Sequence, residues 1–158
     1  MSQALTQPAP LRLRAADTHD LLVLGSCIQD SLVPVVGMDF NLADHAFTLL
    51  LNRFMWEADP EESSDTPHYY RTHSGLRFSH VQKVHYQNMD FKNATLTLNL
   101  LALKREADGI HLLFSQGAAL RLDITQIEAH LFDLEDPWLT PSLPDHFLKE
   151  KIQESVHP

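Results

Sequence analysis

The apolar positions of the chain fall mostly into runs of period two, preceded by one run at helical spacing. Leu11 and Leu13 alternate with Arg12 and Arg14, which predicts a short half-buried strand at a sheet edge, where projecting charges discourage edge-to-edge pairing. Leu21, Leu24, Gly25, Ile28 and Leu32 then recur at helical spacing and predict an amphipathic helix. Asp17 or Thr18 can cap it, Asp20 adds negative charge to its first turn, and Pro34 is expected to end it. The densest apolar run is AFTLLLNRFMWE, from Ala46 to Glu57, with large side chains for both faces of a central strand. Val35 to Phe40 supplies a strand before it, and the polar turn from Asn41 to His45 makes the two an antiparallel hairpin.

From Ala58 to Thr72 the chain is acidic and polar and predicts an exposed loop. Leu76, Phe78, Val81 and Val84 form the next strand, and the change of parity between Phe78 and Val81 calls for a bulge or bend. Leu96, Leu98 and Leu100 alternate with Thr95, Thr97 and Asn99 in a clear amphipathic strand. Asp108 and Gly109 signal a hairpin, and Gly117 turns the chain into a strand carrying Leu120, Leu122 and Ile124. Ile127 to Leu134 fits a strand by its alternation, and also fits a short helix; the continuing period favours the strand. Asp136 and Pro137 stop it, and Trp138 is expected to fold back on the core.

One helix among about seven strands joined by short links predicts an α+β domain. The simplest arrangement is a strongly curved antiparallel sheet or half-barrel with one N-terminal packing helix, a description that includes pleckstrin-homology-like shapes. Residues 1–10 read as a flexible leader and 11–140 as a single domain with an exposed acidic loop at 58–72. Residues 141–158 read as a C-terminal tail or a short docked helix bearing Phe147, Leu148 and Ile152.

Composition narrows the chemistry. A chain of 158 residues that is 44% hydrophobic needs no disulfide or structural metal to obtain a core. Its single cysteine, Cys27, excludes an intrachain disulfide and a cysteine-rich metal centre, and reads as a small buried hydrophobe before a reactive thiol. A net charge of −9 argues against nucleic acid as a partner. No run approaches the length of a membrane span, so the expected location is the cytoplasm. Five glycines leave no Gly-rich phosphate loop, and no cofactor is expected. Ten histidines invite a metal or acid-base site. The weak candidates are His80, His85, His111 and His130, which meet only if neighbouring strands bring them to one face.

The more distinctive polar cluster is Asn52, Arg53, Trp56 and Glu57. Alternation places Arg53 and Glu57 on one rim and Asn52, Phe54 and Trp56 on the other face. It reads either as a strand-end ion pair with an aromatic anchor, or as a ligand or partner surface in which Trp138, Gln29 and Asp30 join. Three function classes stay open. The first is a noncatalytic domain that binds a protein, a small molecule or further copies of itself. The second is a small enzyme or metal-dependent binder using the sheet histidines, and the third a purely structural self-associating protein.

The segments LRLRAAD (Leu11 to Asp17), CIQDSLVPV (Cys27 to Val35), LNRFMWE (Leu51 to Glu57), HSGLRF (His73 to Phe78) and IEAHLFDLEDPW (Ile127 to Trp138), taken in order, resemble an uncharacterised alphaproteobacterial family described only as a domain of unknown function. Gln29, Asp30, Asn52, Arg53, Phe54, Trp56, Glu57, Gly75, Asp133, Pro137, Trp138 and His146 match its pattern. Tyr70, Arg71, Thr72 and His73 stand where that family usually reads Glu-Arg-x-Arg. The resemblance implies no activity, cofactor or catalytic residue.

Overall fold

The structure is a computed structural model that describes residues 7–61 and 67–144. Most of the expected leader, the middle of the acidic loop and the expected C-terminal helix at 145–154 lie outside the described residues. The described chain forms eleven strands and one α-helix, more strands than the sequence pattern implies. In chain order these are β1 (Arg12–Ala15), α1 (Thr18–Ile28), β2 (Leu32–Pro34), β3 (Asp39–Asn41), β4 (Ala46–Phe54) and β5 (Tyr69–Phe78). There follow β6 (Val81–Gln87), β7 (Thr97–Glu106), β8 (Gly109–Phe114), β9 (Ala119–Ile124), β10 (Ala129–Asp133) and β11 (Trp138–Thr140).

All the pairings are antiparallel, as the short connections require. The hydrogen-bonded order is β1-β10-β5-β4-β2-β7-β8-β9-β6, with β3 added to β4 and β11 to β5. The two ends of this path, β1 and β6, do not pair with each other, so the sheet is open. The fold is therefore α+β and dominated by antiparallel sheet.

The parity change between Phe78 and Val81 is realised as a corner. His80 adopts φ 59, and the Ser79 amide donates to the Glu128 carbonyl while the Thr125 amide donates to that of His80. β5 with β6, and β9 with β10, therefore behave as two long strands that bend together and keep their pairing through the bend. Bending lets one side of each half face a shared interior: Leu49, Leu76, Leu112, Leu120 and Leu131 belong to one buried cluster. Leu21, Leu24 and Ile28 of α1 pack into the same cluster.

The start of α1 follows the sequence closely. Asp17 accepts a hydrogen bond from the Asp20 amide at 2.7 Å, and Asp20 accepts one from the Ala16 amide at 2.9 Å, a reciprocal capping arrangement. Its end does not follow the sequence. The helix stops at Ile28 instead of running to Pro34, and Leu32 belongs to β2. Asp30 turns the chain at φ 60, where its amide donates to Leu100 and the Ser31 carbonyl accepts from Leu100. The edge of β7 thus captures the backbone before proline acts.

Two further expectations are corrected. Tyr69 to Thr72 belong to β5 and not to the acidic loop, because Tyr70, Thr72 and Ser74 continue the inward parity of Leu76 and Phe78. Trp138 is only half-buried, and instead of entering the core it opens β11 beside β5. The hairpin at Asp108 is as expected: Gly109 has φ +148, and a Cβ there would lie 2.1 Å from the Leu122 carbonyl oxygen. Only glycine fits.

Gly75 carries a different constraint, since an added Cβ would stand 2.6 Å from the Phe132 ring that lies across it. Gly75→Ala is expected to lower stability by about 1–3 kcal/mol in urea denaturation, the range for overpacking a filled site. Gly25→Ala should instead stabilise by about 0.5–1 kcal/mol, because there the new methyl would meet Leu103 at an ordinary 3.6 Å. Equal responses at the two positions would contradict this reading.

Candidate functional site

β4 has two faces with opposite characters. On the inner face Arg53 is fully buried. Its guanidinium donates to Glu57 at 2.9 and 2.8 Å, to both oxygens of Asp133 at 3.1 and 3.0 Å, and to the Cys27 carbonyl at 3.4 Å. Ser74 donates to Asp133 at 2.6 Å, and the Leu11 amide donates to the other Asp133 oxygen at 2.7 Å. Burial pushes the Arg53 pKa down, but hydrogen bonds and charge from Glu57 and Asp133 outweigh it and leave the pKa raised. The cation is thus held permanently charged and saturated. Cys27 nearby has its thiol pKa raised, first by burial and then by Glu57, which keeps it protonated and a poor nucleophile.

The rim expected for Arg53 and Glu57 is therefore corrected. Alternation does separate Arg53 from Asn52, but the Arg53 face is the interior. Glu57 lies beyond the strand, which ends at Phe54, and returns to cover the guanidinium with a side chain still 34% exposed. Asp133, the second carboxylate, was not among the expected site residues.

The outer face of β4 carries Leu50, Asn52 and Phe54, in register with Gly75, His73 and Arg71 of β5. Here the surface is concave. A groove of about 460 Å³ is lined by Leu32, Pro34, Leu50, Asn52, His73 and Leu134, among others, and its walls are mainly apolar. Leu32 and Asn52 also wall a second concavity of about 260 Å³, where Asp30, Arg71, Asn99 and Leu143 stand. The two spaces adjoin at Leu32 and Asn52, an apolar one beside a more polar one.

Beside the more polar space Arg71 lies over the Phe54 ring, 5.6 Å from its centroid, and donates through Nη1 to the Asn52 carbonyl and side-chain oxygens at 3.2 and 3.1 Å. Burial pulls the Arg71 pKa down, while the charge of Asp30 pushes it up. Phe54 is held by Trp56 at 4.5 Å and Tyr69 at 5.6 Å, and the Trp56 indole donates to the Gln29 carbonyl at 2.8 Å. Trp138 is in register with Arg71, and its ring meets His73 at 4.8 Å. His73 is in turn hydrogen-bonded to Glu135. The structure thus brings Gln29, Asp30, Trp56 and Trp138 around Arg71, and it places Arg53 and Glu57 on the opposite face. Arg71 itself was hidden in the sequence by its position beside the acidic stretch.

Each of three candidate histidines is paired with its own carboxylate, and His85 and His111 line one concavity on either side of Arg121. His80 pairs with Glu128 at 2.8 Å, His85 with Asp123 at 2.8 Å and His111 with Asp108 at 2.7 Å, while His130 stands opposite Arg77. Arg121 spaces His85 from His111 across β6, β9 and β8. Among the described residues no three His, Cys, Asp or Glu side chains form a group that could hold a metal ion. Among the same residues no helix is long and apolar enough to cross a membrane.

The fold is an open antiparallel-sheet α+β domain, with a mainly apolar groove beside β4 and Arg71 near that groove. The chain belongs to the DUF2948 family of proteins of unknown function, whose sequence model matches residues 11–146. No curated protein and no solved structure matches it.

Removing the Asp133 charge leaves a buried cation short of one partner. Asp133→Ala is therefore expected to cost about 3–5 kcal/mol in chemical denaturation. A loss within the ±0.5 kcal/mol typical of ~neutral surface changes would show that Glu57 alone suffices. The histidine pairs predict a pH effect. Asp108, Asp123 and Glu128 have lowered pKa values, first because His111, His85 and His80 hydrogen-bond to them. Their stabilisation is present above the ordinary carboxylate range and is lost as pH falls through the lowered folded values. Carboxyl-carbon NMR titration should show these shifts, with Asp123 moving back up in His85→Gln.

Proposed function

We propose that this domain is a noncatalytic binding module that takes a small apolar ligand in the groove between β2, β4 and β5. The observation that carries the reading is the contrast between the two faces of β4. The polar groups that resemble a reaction centre, Arg53, Asp133, Ser74 and Glu57, are committed to one another, and the first three are buried. An accessible concavity on the other face is instead floored by Leu50, which remains 47% exposed in a domain whose other β4 leucines are buried. A groove of about 460 Å³ falls within the range of small-molecule sites.

The test is titration with Nile red, an uncharged apolar dye. Wild-type protein should bind it with enhanced fluorescence, and Leu50→Asp should lose the binding while keeping its urea midpoint, since Leu50 lies outside the core cluster. Absence of dye binding in the wild type, or binding unchanged in Leu50→Asp, would overturn the reading.

A further inference from the structure

Arg53 and Arg71 sit on neighbouring strands, and their environments are opposite. The donors of Arg53 are filled by two carboxylates, a serine and a carbonyl. Arg71 is half-buried, yet among the described residues its hydrogen bonds run only to Asn52, and only through Nη1. Its Nε and Nη2 donors stay unused, and no carboxylate of the described residues forms an ion pair with it. Those open donors are not sealed from solvent, so a ligand can take them over from water. The ligand chemistry that fits them is a carboxylate, which accepts two parallel hydrogen bonds from the planar fork.

Geometry supports the match. The Arg71 guanidinium carbon lies over the Phe54 ring, 5.6 Å from its centroid, a cation–π contact on one side of the fork. Asp30 stands in the same concavity, and its charge partly offsets the lowering of the Arg71 pKa by burial. Leu32 and Asn52 wall both spaces, so a chain leaving a carboxylate at Arg71 runs past Leu32 into the space between Pro34, Leu50 and Leu134.

We infer that the groove binds an apolar monocarboxylate, a fatty acid of medium chain length, with its carboxylate on Arg71 and its tail over Leu50. The inference rests on the groove reading above. It is tested with the full chain by displacing Nile red with octanoate, octanol and inorganic phosphate. Octanoate is expected to bind at least about tenfold tighter than octanol, as a hydrogen-bonded charge pair implies, and phosphate should displace nothing. In Arg71→Gln the preference should vanish while octanol affinity is kept, which also reports that the groove is still folded. In Arg71→Lys, which keeps the charge without the fork, the preference should fall between the two.

Equal binding of octanoate and octanol by the wild type would overturn the carboxylate assignment and leave the apolar groove standing. A preference retained in Arg71→Gln would place the carboxylate elsewhere, and displacement by phosphate would replace the fatty acid with a general anion. If the dye, octanol and octanoate all fail to bind, the groove reading fails and takes the inference with it.

Discussion

Neutralisation of the buried Arg53 charge by Asp133 is the constraint on which the rest of the structure depends. A guanidinium on the inner face of the central strand is tolerable only if its donors are filled, and the groups that fill them come from separate parts of the chain. Asp133 ends β10, Ser74 lies in β5, Glu57 follows β4, and the Cys27 carbonyl lies in the last turn of α1. Each of those segments is fixed by serving the same cation. The first strand is tied in as well, because the Leu11 amide donates to the Asp133 carboxylate. Such a centre adds less to net stability than its contact number suggests, since desolvation offsets much of the Coulomb gain. Its stronger effect is on uniqueness, because few other arrangements could satisfy the charge.

Satisfying the cation inside leaves the other face of the same strand free for a different use. Strand alternation alone turns Asn52 outward while Arg53 turns inward. Asn52 then shapes the groove and anchors Arg71, while the aromatic group of Phe54, Trp56 and Tyr69 stiffens the polar side. The paired strands beneath give the groove a preformed floor, which would limit the ordering cost of a ligand of the proposed kind.

The parts of the fold decided by local pattern were legible in the sequence. The apolar run identified β4, alternation identified β7 and the bend between Phe78 and Val81, and the Asp-Gly pair identified the Asp108 hairpin; the run from Asp17 to Asp20 placed the start of α1. The parts decided by distant contacts were hidden. The end of α1 depends on the edge of β7, so Pro34 was a misleading stop signal. β5 was read too short because Thr72 and Ser74 face inward for polar reasons: Thr72 donates to the Glu135 carbonyl and Ser74 to Asp133. Inward hydroxyls look like loop residues to any hydrophobic pattern. The same misreading concealed Arg71, and with it the cation near the groove. The Arg53 and Glu57 pairing was legible by proximity, but the Asp133 partner, 80 residues away, was not.

That separation has a consequence for how the chain reaches its native state. β4 can pair early with β3 through a short turn, yet its buried cation meets Asp133 only once β10 has been brought back from 80 residues further along. Leu11, just ahead of β1, depends on a partner 122 residues away. Contacts so distant close large loops before they repay the entropy, which makes folding slow for the size of the domain. A nascent chain leaving the ribosome therefore holds its central strand incompletely neutralised until most of the domain has emerged. The interval in which apolar strands are exposed to other chains is set by the arrival of one carboxylate.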